Sequence, residues 1–367
     1  MPIPYEQTTV HTSDGFALAL YRSRAPARPL RPRPPVLLIP GFSSNRFTFG
    51  VRQRDSLPAL LNAAGRDVWL CELRGSQSSR WLGRGKPVVD VDAKLHLDLP
   101  AILDQVRRLA DAEVVDVIGH SLGGLLALLA AGGDDHPTAS AIGRIVTLAT
   151  PGTFKGIVGM FESAGPVFRG LARGVEELAG RFASGLALAP LARTPGPLPH
   201  LFALSRHFLP GAVDVAIRRL YLDHAIEAVH GGELAQLTRW VREGVITDRA
   251  GRSLEDRFAR VDVPVLVMSA TRDRVAPEAN TYAAYAKIAS DDKQFRLVGR
   301  RHGARRDYAH ADLLLADSAV EDVHEPIIDW LEARAERHAV RTLDRSAAAR
   351  GSRGQARGDA RPAAAQK

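Results

Sequence analysis

Cysteine is nearly absent from this chain, which has one, Cys71, among its 367 residues. An internal disulfide is therefore excluded, and no second thiol is present for a cysteine metal site. Cys71 ends the apolar run Val68–Cys71, which predicts a buried, unreactive core thiol. Histidines and acidic residues also lack metal-ligand spacing, and the pair His310 and Asp312 is too weak a signal alone. We expect no metal and no other cofactor.

Long apolar segments are missing as well. No run of eighteen apolar residues is present, so a membrane-spanning helix is not expected. Residues 1–7 lack a basic stretch followed by an apolar core, so no signal peptide is visible and the cytoplasm is the expected compartment. Hydrophobic residues make up 45% and charged residues 25% of the chain, which is typical of a globular protein.

Positive charge is concentrated at one end of the chain. The formal net charge is +8, but residues 334–367 contain nine Lys or Arg and only three acidic residues. That segment consists largely of Ala, Arg and Gly, so it cannot bury enough apolar surface to fold alone. We expect a disordered basic tail with, at most, loose attraction to anionic surfaces and no specific nucleic-acid partner.

Short, continuous apolar runs recur along the chain and predict strands buried on both faces of a parallel sheet. The predicted strands are Phe16–Tyr21, Val36–Ile39, Val68–Cys71, Val114–Ile118, Ile145–Leu148, Val265–Met268 and Phe295–Val298. Apolar positions at helical spacing lie between them, as in the stripe Leu99, Ile102, Leu103, Val106 and Leu109. Further helices are predicted at Leu122–Ala131 and Val320–Ala335. The alternation predicts an α/β fold with a doubly wound, mostly parallel sheet.

The alternation of strands and helices stops between about residues 152 and 261, where only helical patterns occur. An insertion of this kind between two sheet strands predicts a cap over one edge of the sheet. We therefore expect residues 1–151 and 262–335 to form one core, residues 152–261 a helical cap, and residues 336–367 the tail.

The strongest chemical signal is the segment Gly119–Gly124, with the sequence GHSLGG. It follows a predicted strand and opens a predicted helix, which is the setting of a nucleophile elbow. A serine on such a sharp turn has a strained backbone and needs close neighbours without side chains. Gly119 and Gly123 meet this need, each two residues from Ser121, with His120 and Leu122 between them and the serine. The helix N-terminus would point N–H groups at negative charge forming beside Ser121, the predicted nucleophile.

A serine hydroxyl needs a base, and the base needs an orienting carboxylate. In the chain order serine, acid, histidine, the acid should follow a late strand, which favours Asp273 over Asp262 and Asp248. Two histidines follow the next strand, His302 and His310. The basic residues around His302 would disfavour the imidazolium that the mechanism forms, which favours His310.

An oxyanion must also be stabilised during acyl transfer. We expect one backbone donor from Leu122, the residue after the nucleophile. The second is expected from the loop after the Val36–Ile39 strand, where Gly41 lets the chain turn and Phe42 offers its N–H.

Together these residues resemble the α/β-hydrolase superfamily, and more narrowly the acid lipase family that includes the gastric and lysosomal lipases. The resemblance rests on GRDVWL at Gly65–Leu70 with the following Leu73–Gly75 and Ser78–Arg80, on DLPAILD at Asp98–Asp104, and on HADL at His310–Leu313. It covers roughly residues 10–150 and 260–332 and leaves the cap unmatched. The family's histidine in the last of these motifs is catalytic, which implies His310 as the base.

Two departures from that family limit what the resemblance implies. The family's loop after the third strand usually begins His-Gly, whereas this chain has Pro40-Gly41. The cap, which selects the substrate, has the least similarity. The resemblance therefore implies cleavage of a small-molecule or lipid-like carboxylic ester through an acyl-enzyme, and not triglyceride hydrolysis in particular.

Other functions remain open beside ester hydrolysis. An acyltransferase would use the same three residues, and a polyester-synthase-like enzyme has a similar elbow but a cysteine where Ser121 stands. A non-catalytic binding protein of this fold usually lacks one of the three residues, and all three positions are filled here. Haloalkane and epoxide chemistry need a carboxylate nucleophile, and the dinucleotide and Walker glycine spacings are not met.

Overall fold

The computed structural model describes residues 5–25, 33–156 and 207–334. The chain divides into two compact units, Met1–Glu325 and Pro326–Lys367. In the second unit, residues 326–334 are helical. The predictions for residues 157–206 of the cap and for the tail at residues 336–367 fall outside the described residues.

A mostly parallel sheet organises the first unit and contains nine strands in the described part of the chain. The strands are β1 (Glu6–His11), β2 (Phe16–Ser23), β3 (Val36–Ile39), β4 (Val68–Cys71), β5 (Arg80–Trp81), β6 (Val115–His120), β7 (Ile142–Leu148), β8 (Val265–Ala270) and β9 (Lys293–Val298). Their order is β1-β2-β4-β3-β6-β7-β8-β9, with the short β5 paired to β2. The pairs from β4 across to β9 are parallel, whereas β2 is antiparallel to β1, β4 and β5. The predicted α/β sheet is confirmed.

Helices connect these strands. Those described are α1 (Phe47–Gly50), α2 (Leu57–Ala63), α3 (Val91–Ala93), α4 (Leu99–Ala110), α5 (Leu122–Ala131), α6 (His136–Ser140), α7 (Val215–His224), α8 (Gly231–Glu243), α9 (Glu278–Lys287) and α10 (Asp312–Leu315). Shorter 3₁₀ turns occur at Gln53–Asp55, Glu255–Arg260 and Arg300–His302, and π-helical turns at Lys94–Asp98 and Val320–His324. Between β7 and β8 the described residues contain α7, α8 and one 3₁₀ turn.

The sheet order reverses direction between β3 and β6. The chain passes from β3 to β4 on one side and later returns to β6 on the other side of β3. Parallel register pairs Ile39 of β3 with Gly119 of β6, so the carboxyl ends of these strands meet at one edge. Such a switch point is where α/β sheets usually bind ligands. The loop after β3 and the turn after β6 are therefore brought together.

The core is apolar and lies on both faces of this sheet. Every residue of α5 is buried, as expected for a helix composed of Leu, Ala and Gly against β6 and β7. Cys71 is buried too, which confirms the predicted core thiol, and burial raises the pKa of that thiol. In α4 the predicted stripe is buried at four positions, but Leu109, one residue before the helix ends, is exposed. The prediction that Leu109 belongs to the buried stripe was therefore wrong.

Candidate active site

Ser121 lies at the turn between β6 and α5, where its backbone has φ 53° and ψ −121°. These angles are strained for a residue with a side chain, and strain of this kind persists only where surrounding contacts enforce it. The enforcing contacts are a hydrogen bond of 2.8 Å from Ser121 N to Leu148 O and one of 3.1 Å from Thr150 Oγ1 to Ser121 O. Ser121 itself is only partly buried.

Three glycines make this turn sterically feasible. A Cβ atom on Gly119 would overlap the backbone of Gly124, and one on Gly123 would overlap the carbonyl oxygen of Ile39. A Cβ on Gly124 would overlap the Thr150 hydroxyl. Gly119 and Gly123 are the glycines expected from the sequence, and Gly124 is a third that pattern alone did not single out.

Asp273 and His310 are hydrogen-bonded at 2.8 Å, between Asp273 Oδ2 and His310 Nδ1, and both side chains are buried. Asp273 follows β8, and its other oxygen accepts the N–H groups of Val275 and Ala276 at 2.7 and 2.8 Å. Since a carboxylate accepts, the imidazole proton is on Nδ1 and the lone pair is on Nε2. The arrangement therefore leaves Nε2 of His310 able to take a proton.

Asp312 supports the loop that carries His310. One of its oxygens accepts Ala309 N at 2.8 Å and Leu209 N at 3.0 Å, which fixes the chain on the N-terminal side of the histidine. The other oxygen, Oδ1, is buried without a hydrogen-bond partner among the described residues. Burial raises the pKa of Asp312 to about 6, although these hydrogen bonds act in the opposite direction. Sequence reasoning considered Asp312 only as a weak metal ligand and missed this role.

The histidine loop also contacts the strand that precedes Ser121. His120 Nε2 lies 3.1 Å from the backbone oxygen of His310, and the two rings are 4.7 Å apart between centroids. His310 is thus held next to the residue that precedes Ser121 in the chain. Within the described residues no hydrogen bond joins the Ser121 hydroxyl to His310; catalytic hydrogen bonds of this type are often long before substrate binds.

The loop after β3 also lies close to Ser121. A Cβ built on Gly41 would lie 3.1 Å from Ser121 Cβ, which is tighter than an ordinary van der Waals contact, so the absence of a side chain at Gly41 eases the close approach. Phe42 follows in a turn and is partly buried against the core. Leu122 is the first residue of α5. The backbone oxygen of Ser121 accepts hydrogen bonds from Gly124 N and Leu125 N, which lie further along the helix than Leu122. The Leu122 N–H is one of those that a helix leaves for a ligand at its N-terminus.

The rejected alternatives lie elsewhere. His302 is exposed in the 3₁₀ turn Arg300–His302, and Asp262 is exposed before β8. Asp248 is paired with Arg252 through Nε at 2.7 Å. His324 is buried, and burial lowers its pKa to about 3. In the described part of the chain, none of these residues hydrogen-bonds to His310.

Metal-ligand clusters and membrane-spanning helices are both absent from residues 5–25, 33–156 and 207–334. No group of three or more His, Cys, Asp or Glu in these ranges could hold a metal ion. In the same ranges, no helix is both long and apolar enough to cross a bilayer.

Comparison with known protein families identifies the fold. The family model for the alpha/beta hydrolase fold matches residues 34–304, which is well over half of the chain. The chain therefore belongs to the α/β-hydrolase fold family, as the sequence motifs predicted.

Among curated proteins, the relatives are lipases. Human lipase member N is 32% identical over 140 residues, covering 35% of this chain and 34% of the relative. Mouse gastric triacylglycerol lipase is 28% identical over 162 residues, covering 41% of each chain. The match thus spans only about a third to two fifths of these relatives, and it confirms the expected resemblance to the gastric lipases.

Solved structures extend the likeness to the whole fold. The monoacylglycerol lipase of Paleococcus ferrophilus has a TM-score of 0.55 at 19% identity, covering 85% of this chain and 98% of that one. A thermophilic esterase from Thermogutta terrifontis has a TM-score of 0.56 at 16% identity, covering 89% and 98%. At these identities the likeness concerns the fold alone.

Proposed function

We propose that this protein is a serine hydrolase that cleaves a carboxylic ester through an acyl-enzyme. The observation that carries the proposal is the Asp273–His310 hydrogen bond, held beside the strained turn that bears Ser121. Nucleophile, base and orienting carboxylate lie at the same sheet edge in the chain order typical of the fold. The names of the curated relatives, which are lipases, support an ester as the bond cleaved.

The reaction would begin with attack of Ser121 Oγ on the ester carbonyl carbon. The serine proton passes to His310 Nε2, and the imidazolium is stabilised by Asp273 through Nδ1. The tetrahedral oxyanion accepts N–H bonds from Leu122 and Phe42. Collapse breaks the bond to the alcohol, which leaves with the proton from His310. Water, deprotonated by His310, then attacks the acyl-enzyme and releases the acid and free Ser121.

Transfer of the acyl group to an alcohol or thiol instead of water would use the same residues. No contact in the described part of the chain favours an acceptor over water, so hydrolysis is the function we propose. Product analysis with an added alcohol separates the two, because transfer yields a new ester and hydrolysis only the free acid.

The test is turnover of nitrophenyl esters of increasing acyl length by the wild type and by Ser121→Ala. We expect the variant to lose on the order of 10⁴–10⁶ in kcat while remaining folded. Ser140→Ala is the matched control because it removes an exposed serine hydroxyl from α6, away from the sheet edge. Equal activity of Ser121→Ala and wild type would reject the mechanism, and a peak at short acyl chains would favour an esterase over a lipase-like enzyme.

A further inference from the structure

The loop that would supply one oxyanion donor is hydrogen-bonded to a short segment that is distant in the sequence. We call Gly41–Asn45 the oxyanion loop and His224–Glu227, which begins at the last residue of α7, the clamp segment. The two run antiparallel, with a bridge between Ser44 and Ile226. Glu227 N donates to Ser43 O at 2.9 Å, and Asn45 N donates to Ala225 O at 3.1 Å. The clamp segment thus pairs with the oxyanion loop as a short strand would.

Ser43 has a left-handed backbone, with φ 50°. A residue with a side chain adopts this conformation only when its surroundings enforce it. Here Glu227 binds Ser43 twice, because the Ser43 hydroxyl also donates to the carbonyl oxygen of Glu227. Phe42 precedes Ser43, so the held backbone of Ser43 anchors the C-terminal side of the residue whose N–H is the expected donor.

The side chain of Glu227 closes a buried polar network around the far end of the loop. Its Oε1 accepts Asn45 Nδ2 at 2.8 Å and the Ser76 hydroxyl at 3.3 Å, and its Oε2 accepts Gln77 N at 3.3 Å. Ser76 has one hydroxyl proton, which lies between Glu227 and the nearer Oε2 of Glu72 at 3.0 Å, and Glu72 is paired with Arg46 at 2.8 Å. Arg46 follows Asn45, so the network returns to the loop where it started.

These side chains are buried, apart from a partly buried Arg46, so their hydrogen bonds are poorly replaced by water. Fully bonded buried networks of this kind make the backbone around them rigid. Burial also raises the pKa of Glu72, against the opposing effect of its Arg46 partner. We therefore expect the network to hold the oxyanion loop in one conformation.

We infer that the side chain of Glu227 is a positioning group for the oxyanion hole, acting through Asn45 at the far end of the oxyanion loop on the Phe42 N–H, while the Glu227 backbone holds Ser43. This inference rests on the proposed function. Glu227 belongs to the described segment between β7 and β8, so it would couple that insertion to the rate of the chemical step. Preorganised donors act on the transition state and little on the bound substrate. Loss of Glu227 should therefore lower kcat and leave KM nearly unchanged.

The test compares Glu227→Ala with Glu227→Gln on a nitrophenyl ester. We expect Glu227→Ala to lower kcat by about 10–100-fold, less than the loss of a whole donor, with KM within about threefold. Glu227→Gln retains an oxygen that can accept from Asn45 and Ser76, and it should keep most of the activity. Asp223→Ala, which removes an exposed carboxylate from the last turn of α7, is the matched control and should equal the wild type.

An alkyl boronic acid gives a second readout, because it forms a tetrahedral adduct on a serine with an oxygen in the oxyanion position. Its affinity should fall in Glu227→Ala in proportion to kcat. If Glu227→Ala does not fold, Asn45→Asp serves instead. It keeps the bond that Oδ1 accepts from Phe47 N but places an oxygen where Nδ2 now donates to Glu227 and to His224 O.

The outcomes separate the inference from the proposed function. A folded Glu227→Ala or Asn45→Asp with wild-type kcat and boronic acid affinity would overturn the inference alone. A change confined to KM would overturn it too. A wild type that neither turns over esters nor reacts at Ser121 with a fluorophosphonate would reject the proposed function, and the inference with it.

Discussion

His120 and His310 are joined by a hydrogen bond of 3.1 Å between His120 Nε2 and the backbone oxygen of His310. A carbonyl can only accept, so the proton of His120 is on Nε2. Burial lowers the pKa of His120 well below its ordinary value, and nearby His310 and His207 lower it further. A neutral imidazole thus connects the strand before Ser121 to the loop that carries His310.

Replacing His120 should disturb the site without removing any group that touches substrate. In His120→Leu the buried carbonyl of His310 loses its partner, so we expect a loss of about 1–3 kcal/mol in the free energy of unfolding. Displacement of the His310 loop should lower kcat/KM on the order of 10–100-fold. His120→Gln can place an amide N–H near the position of Nε2 and should recover part of both. Urea unfolding and ester turnover measure the two effects, and equal behaviour of Leu and Gln variants would contradict the role.

The two candidate histidines should differ sharply in their effect on turnover. His310→Gln removes the base and should lower kcat on the order of 10³–10⁶. His302→Gln changes an exposed side chain in a 3₁₀ turn and should leave kcat within about twofold, since surface substitutions have small effects. A large loss in His302→Gln with an active His310→Gln would reverse the assignment.

Asp273→Asn should leave the fold in place and slow the chemistry. The amide cannot stabilise an imidazolium, and it favours the tautomer of His310 with the proton on Nε2, so kcat should fall on the order of 10³–10⁴. Asp262→Asn is the control, because Asp262 is an exposed carboxylate at the other end of β8. Stopped-flow measurement of acylation with a nitrophenyl ester would place the loss in the first step. An unchanged acylation rate would exclude Asp273 as the orienting acid.

The seven predicted strands are all present. Six of them are short, buried and mostly apolar, whereas in β9 only Val298 is buried. β1 was not predicted, since only Val10 is buried in this edge strand and its other residues are polar or exposed. β5 has two residues, too few for any periodic pattern. An apolar pattern reports burial, so strands that are paired but exposed leave no signal in it.

The site was predictable where its chemistry is tied to local sequence. GHSLGG marks a turn because the steric demand on Gly119 and Gly123 is local. Asp273 and His310 could be proposed from their places after β8 and β9, and the structure brings them within hydrogen-bonding distance. Glu227, by contrast, contacts the oxyanion loop from more than 180 residues away. A polar contact between such distant segments leaves no pattern in either one.

Gly123 should tolerate no side chain. The carbonyl oxygen of Ile39 occupies the space where a Cβ of Gly123 would lie. Gly123→Ala must therefore push apart the ends of β3 and α5. Overpacking of this kind typically costs about 1–3 kcal/mol in the free energy of unfolding. Because the oxyanion loop begins just beyond Ile39, kcat should fall as well. Gly50→Ala is the matched control, since a Cβ there meets nothing within 4 Å and φ is not in the left-handed region. Similar stability of the two variants would contradict the steric argument.

Asp312 should make stability depend on pH. Burial raises its pKa from 3.8 to about 6, so between these values the folded protein holds a proton that the unfolded chain has lost. The resulting stabilisation is fully present below about pH 4 and disappears as pH rises through about 6. Asp312→Asn cannot titrate. From pH 5 to pH 8 the free energy of unfolding of the wild type should therefore fall by about 1–2 kcal/mol relative to that of the variant. Urea unfolding at both pH values measures this shift. Asp262→Asn, which changes an exposed carboxylate, should show little of it, and an equal shift in both variants would mean that the effect does not come from the burial of Asp312.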